Sequence, residues 1–152
     1  MAANYHEEKL GMLLEQDLTA SLKDHFADDP DAVVYAGGTE ADIEQGTDLF
    51  IYGVPVDITF NFTGKDHLEA FAEKVDVFGG VDVSFGVRTG NSHKGFSRFK
   101  KPVLVIGIDA SESFIRDWMP RIISSFIEKI DEIIDVSQSQ YWDWCDANAI
   151  AF

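Results

Sequence analysis

Cysteine is almost missing from this chain: Cys145 stands alone among 152 residues. A single thiol excludes an internal disulfide framework and a cysteine metal knuckle, and it suits a reducing cytoplasm. The start, Met1-Ala2-Ala3-Asn4-Tyr5-His6-Glu7-Glu8, has neither the basic nor the apolar region of a signal peptide, so no secretory route is expected. No apolar run approaches the roughly 20 residues that span a bilayer, and a soluble cytoplasmic protein without a membrane partner is expected. Cations are scarce too. Against 27 Asp and Glu there are 12 Lys and Arg, which leaves a formal charge of −15. Such a field repels phosphate backbones and weighs against strong non-specific DNA binding. Common site spacings are also lacking. His6, His25, His67 and His93 do not fall at metal-ligand spacing, and Cys145 has no nearby histidine to activate it. Gly86-Val87-Arg88-Thr89-Gly90-Asn91 lacks the Gly-Lys-Ser/Thr of a phosphate loop.

What is present is a core. Hydrophobic residues make up 45% of the chain, with 12 Phe, enough for one folded domain over residues 1–152. Leu10, Leu13, Leu14, Leu18, Leu22 and Phe26 recur at three- and four-residue steps and predict an amphipathic helix from Leu10 to about Phe26. Asp28-Asp29-Pro30-Asp31 ends it, and Ala32-Val33-Val34-Tyr35-Ala36 reads as a short strand. After the acidic stretch Gly37 to Gly46 comes a hairpin whose second arm alternates, with Val54, Val56, Ile58, Phe60 and Phe62 on one face and Asp57 on the other. Lys65 to about Val77 is expected to be a second helix, with Leu68, Phe71, Ala72 and Val75 on one side, broken by Gly79-Gly80. Val81, Val83, Phe85 and Val87 alternate as a strand, and Val103-Leu104-Val105-Ile106-Gly107-Ile108 reads as a central strand covered on both faces. Ser111 and Ser113 are candidate N-caps of a C-terminal helical region that Pro120 kinks or restarts. The fold class is therefore α/β of the α+β type: a mixed central sheet with a β-hairpin, flanked by an N-terminal helix, a middle helix and a C-terminal helical region. The aromatic ending, Tyr141-Trp142-Asp143-Trp144-Cys145 and Ala149-Ile150-Ala151-Phe152, is expected to pack on the body or to form a partner surface, including that of a homodimer.

Two acids mark the hairpin. With Tyr52-Gly53 as a two-residue turn, Ile51 pairs with Val54 and Asp48 falls opposite Asp57, Cβ atoms roughly 4.5–5.5 Å apart; a turn shifted by one residue sets Asp48 across from Thr59 instead, and a surface hairpin with solvated acids is the plain alternative. Like charges so placed need compensation, and Mg²⁺ held by carboxylate oxygens supplies it. Glu40 ranks first among further candidate metal ligands, ahead of Asp42, Glu44 and Glu15. A second feature is a basic segment inside the acidic chain. No acid occurs from Val83 to Ile108, where Arg88, His93, Lys94, Arg98, Lys100 and Lys101 all fall, either as a solvated loop or as a phosphate or partner contact.

The element order, with Gly46-Thr47-Asp48 followed by Val56-Asp57-Ile58-Thr59, resembles the PD-(D/E)XK nuclease-like superfamily over roughly Leu10 to Asp109. That resemblance implies a metal site of Asp48 and Asp57 holding Mg²⁺ or Mn²⁺. Thr59 stands where the family places Lys, so the cation beside the attacking water is absent from the motif. Lys65 reaching back, Arg88 entering from a neighbouring strand, or Thr59 with Asn61 orienting water would replace it; the plain alternatives are a solvated Lys65 at a helix start and an Arg88 that serves as structural partner to an acid. The resemblance thus implies a Mg²⁺-dependent phosphodiesterase of reduced or altered activity on nucleic acid, or a degenerate non-catalytic relative. The chain's size suits a phage or mobile element. On this view Asp48, Asp57, Thr59 and Lys65 carry catalysis, and Arg88, Lys94, Arg98, Lys100 and Lys101 contact phosphate. The charge supports a reading of another class: an acidic interaction or inhibitor protein that imitates nucleic acid and binds a basic protein partner.

Overall fold

The computed structural model describes residues 2–35, 49–60, 68–88 and 102–148. The expected site residues Glu40, Asp48 and Lys65, the Lys94 to Lys101 segment, and Ala149 to Phe152 lie outside the described residues. Helix α1 runs Ala2–His25. Its four-residue leucine spacing puts Leu10, Leu14, Leu18 and Leu22 in the core, while Leu13 turns outward and is exposed. Lys23 and His25 occupy the last turn, where cations complement the helix dipole.

Six strands follow: β1 (Val33–Tyr35), β2 (Leu49–Ile51), β3 (Val54–Phe60), β4 (Leu68–Phe78), β5 (Val81–Arg88) and β6 (Val103–Asp109). They form one mixed sheet in the order β1-β2-β3-β6-β5-β4, in which only β3 and β6 pair in parallel. The β2–β3 hairpin has the register expected from its turn, Ile51 opposite Val54 and Leu49 opposite Val56. Tyr52 and Gly53 both have positive φ, 50° and 81°, the backbone of a type I′ turn that matches strand twist. The apolar run of β6 lies inside the sheet, between β3 and β5, and Val103 to Ile106 are buried on both faces.

Leu68–Phe78 is a strand, not the expected middle helix. Leu, Ala, Glu and Lys favour helix locally, and Leu68, Phe71, Ala72 and Val75 fit a helical stripe. Pairing decides against it. Gly79 and Gly80, at φ 55° and 85°, make a second tight turn that returns the chain as β5, and β4 pairs with β5 along its length with bulges after Ala70 and Asp76. Val75 and Val77 alternate into the core, a period of two. The α+β class holds.

Two helices close the chain, α2 (Glu112–Glu128) and α3 (Ile130–Ala147). Ser111 caps α2, its hydroxyl accepting from the Phe114 N–H at 3.2 Å. Pro120 cannot donate to the carbonyl four residues back, and Trp118 departs from helical geometry, so α2 is kinked there. Tyr141 and Cys145 are buried, Trp144 is half-buried and Trp142 is exposed, so the described part of the aromatic segment packs mainly on the body. Side chains fasten α3 to the sheet: the Tyr141 hydroxyl donates to the Pro102 carbonyl at 2.7 Å, Gln138 Nε2 to the Ile51 carbonyl at 2.9 Å, and Trp144 Nε1 to the Glu69 carboxylate.

The three described helices pack on one face. The core joins Leu14, Leu18, Ile115, Phe126, Ile133 and Tyr141 to Leu49, Val56, Ile58, Val83, Phe85, Leu104, Ile106 and Ile108. Residues of the opposite phase, among them Asp57, Thr59, Ser84 and Arg88, point to the other face. Among the described residues no helix is long and apolar enough to cross a membrane.

Candidate functional site

The face opposite the described helices carries the polar constellation. Asp57 sits mid-β3, opposite Val105 of β6, and Arg88 ends β5, opposite Val103. β6 lies between their strands. Arg88 therefore extends over two strand spacings, about 10 Å, and its Nη2 donates to Asp57 Oδ2 in an ion pair. The two side chains are 28% and 19% exposed. A planar guanidinium suits a carboxylate better than any other cationic side chain does, through two parallel N–H donors.

Two residues further along β3, Thr59 lies level with Gly107 of β6, which lies level with Ser84 of β5. Gly107 presents no side chain between the two hydroxyl-bearing neighbours. The Ser84 hydroxyl donates to Asp109 Oδ2, and Asp109 is in register with Asp82. Sequence reasoning missed this second pair. Its signal was present, since Ser84 and Arg88 share the outward phase of β5, but only the strand order shows that Asp57 and Asp109 face them.

Of the proposed site residues, Asp57, Thr59 and Arg88 are described, and all three share this face. Asp48, Lys65, Glu40, Lys94, Arg98, Lys100 and Lys101 lie outside the described residues. Among the described residues no three His, Cys, Asp or Glu side chains converge as a metal-binding group. The compensation that the sequence sought for Asp57 is supplied, for this carboxylate, by Arg88.

Two clefts lie elsewhere. One of about 480 Å³ is lined by Lys23, Phe26, Ala27, Pro30, Val33 and Val34, where the end of α1 meets β1. Another, between α1 and α2, is lined by residues that include His25, Pro120 and Ile127.

The acids distribute unevenly over the helices. α3 contains Asp131, Glu132, Asp135, Asp143 and Asp146 and no Lys, Arg or His, and all five acids are exposed. Glu132, Asp135, Ser139, Trp142 and Asp146 follow three- and four-residue steps along one outward stripe, and Asp143 adjoins it. α2 differs. There Arg116 pairs with Glu112 at 2.9 Å, and Arg121 lies over the Phe78 ring at 5.3 Å.

Comparison with protein-family models, with curated proteins and with solved structures finds no match for the chain.

Proposed function

We propose that the chain is an acidic interaction protein that binds a basic protein partner and presents carboxylates in place of phosphates. The observation that carries this reading is α3, whose outer side exposes five acids and no cation. On a helix serving only the fold, Lys or Arg one turn from Glu or Asp would add small favourable pairings, and here every such opportunity is left unused. A partner with Lys or Arg on its contact surface gains both attraction on approach and relief of the self-repulsion within the −15 chain.

Titrating a polylysine peptide into the intact protein by calorimetry tests the reading. Affinity should fall steeply as salt rises, because the contact is electrostatic. Replacing Asp131, Glu132, Asp135, Asp143 and Asp146 by their amides should weaken it far more than the same treatment of the exposed Asp17, Asp24, Asp76, Asp117 and Glu128. Equal losses would reduce the interaction to net charge and remove α3 as the surface.

The hairpin register supports a second reading, a nuclease-like Mg²⁺ phosphodiesterase using Asp48 and Asp57, because Leu49 opposite Val56 is the pairing that reading needs. It also requires Arg88 to release Asp57 or to share it with the metal. Saturable Mg²⁺ or Mn²⁺ binding that Asp57→Asn abolishes would favour it over the interaction protein.

A further inference from the structure

The two edges of the sheet are finished differently. β4 is bulged and carries Glu73, Lys74 and Asp76 on exposed positions. The Glu73 N–H donates to Gln140 Oε1 at 3.3 Å, and the Asp76 carbonyl accepts from Lys129 Nζ at 2.7 Å, so helix side chains occupy groups that another strand would need. Bulges, charges and covered backbone are devices that stop strand addition.

β1 is only three residues long, but its own Val-Val-Tyr has no bulge and no charge, and no described side chain occupies its outer backbone groups. The Tyr52 N–H donates to the Ala32 carbonyl at 2.8 Å, which fixes the phase of the β1–β2 ladder. By antiparallel alternation Val34 exchanges bonds with Phe50, and the backbone groups of Val33 and Tyr35 point away from the sheet. Beside them lies the apolar cleft of about 480 Å³. Val34 is 46% exposed and Tyr52 52% exposed, and the Tyr52 ring meets Phe26 edge-on at 6.0 Å. Tyr52 holds φ 50°, a conformation that Asn or Gly adopts at less cost, so the turn keeps an aromatic where a better turn residue would serve the fold. Exposed Asp28, Asp29 and Asp31 border the same edge.

We propose that β1 is a docking edge for an extended basic segment of a partner protein. The proposal rests on the interaction-protein reading and names a place and a shape for the partner. The segment adds an outer strand to β1 through the backbone of Val33 and Tyr35, which gives affinity without regard to sequence. Its alternate apolar side chains enter the cleft against Phe26, Pro30 and Val33, and its Lys or Arg side chains meet Asp28, Asp29 and Asp31. A second copy of this chain would complete the same ladder but would bring the same acids to the contact, so charge selects a basic occupant.

The probe is a capped peptide of alternating Lys and Val, titrated into the intact isotope-labelled protein, beside the same peptide N-methylated at every second residue. The plain peptide should bind, and amide exchange at Val33 and Tyr35 should slow. N-methylation, which removes the donors on one peptide edge, should weaken binding by about tenfold or more, and so should Val34→Lys, an exposed change that adds a repelling charge. Tyr52→Asn, which keeps the turn, should weaken it less. Equal binding of the N-methylated peptide, or no protection at Val33 and Tyr35, overturns the docking edge. If the peptide binds and only the α3 amide variant loses it, the interaction reading stands and this edge does not. If neither this peptide nor polylysine binds, both fall. Concentration-dependent protection of β1 without peptide would assign the edge to a second copy instead.

Discussion

Replacing Asp57 by Asn and Arg88 by Met, singly and together, isolates the attraction between these two side chains from whatever else each does. Met keeps most of the aliphatic stem that crosses β6, so the change removes charge more than packing. Two unit charges about 4 Å apart attract by about 4 kcal/mol at an effective dielectric of about 20, before desolvation and side-chain ordering are subtracted. Exposed pairs retain about 0–1 kcal/mol, whereas removing one partner from a buried pair costs about 3–5 kcal/mol. At 28% and 19% exposure the Arg88–Asp57 pair lies between these cases, and a coupling of about 1–2 kcal/mol is expected. Each single variant should therefore lose more than the double variant adds. Urea unfolding of the four proteins, followed by tryptophan fluorescence, measures the cycle, since Trp118, Trp142 and Trp144 all lie on the packed helices. A coupling within about 0.3 kcal/mol of zero would refute the argument that Asp57 has its countercharge inside the fold. The same proteins test the metal reading. Mg²⁺ that stabilises Arg88→Met and not the double variant would show that Arg88 occupies a cation's place.

Tyr141→Phe should cost about 1–3 kcal/mol in the same urea assay, because the buried Pro102 carbonyl loses its donor; a loss under about 0.3 kcal/mol would mean that another donor replaces it. The alkaline limb of stability should also respond. Burial pushes the Tyr141 phenol up, with the neighbouring Cys145 adding to the shift, and burial pushes the Cys145 thiol up against a smaller opposing hydrogen bond from Tyr141. Groups raised in the fold favour it while neutral, so their contribution is complete below the unfolded values, about 8.5 for the thiol and about 10 for the phenol, and is lost as pH rises above them. Unfolding midpoints should be level to about pH 8 and fall beyond about pH 9, less steeply in Tyr141→Phe; an unchanged slope in that variant would remove Tyr141 as the cause. Ser111→Ala should lose about 1 kcal/mol by removing the cap of α2, with Ser111→Asp restoring it. Asp143→Asn with Asp146→Asn should raise the melting temperature while weakening polylysine binding, and a fall in both would show that these acids support the fold.

Much of the sheet was legible because its signals are local. Alternation identified β3 and β5, an unbroken apolar run identified β6, and the turn at Tyr52-Gly53 set the hairpin register before any contact was known. β4 was misread because its composition and its apolar spacing both favour helix, and long-range pairing with β5 outweighs them. The informative residues were Gly79-Gly80: two glycines followed by clean alternation mark a hairpin, and a hairpin requires a strand on its other arm. The site was less legible than the fold. Asp57 and Arg88 are 31 positions apart and meet only because β6, last in sequence, inserts between β3 and β5. The same insertion joins Ser84 to Asp109. A residue pattern gives the phase of a strand and therefore the face each side chain takes, but it does not give strand order.

The acids of α3 separate what the fold needs from what it tolerates. Asp131 and Glu132 stand in the first turn, where negative charge complements the helix dipole, so folding alone accounts for them. Asp143 and Asp146 stand near the other end, where the dipole favours cations, and the last turn contains none. Each such acid costs about 0.3–1 kcal/mol at low salt, and exposure places these two toward the lower figure. Their neighbours Tyr141 and Cys145 already fix the helix to the sheet, so no packing demand selects an acid on the outer side. A local rule broken repeatedly on one surface, without a compensating cation on the same helix, is the pattern expected where a site is kept at the expense of stability. On the proposed reading a basic partner supplies the compensating charge, and it is the species that would make the C-terminal end of α3 favourable.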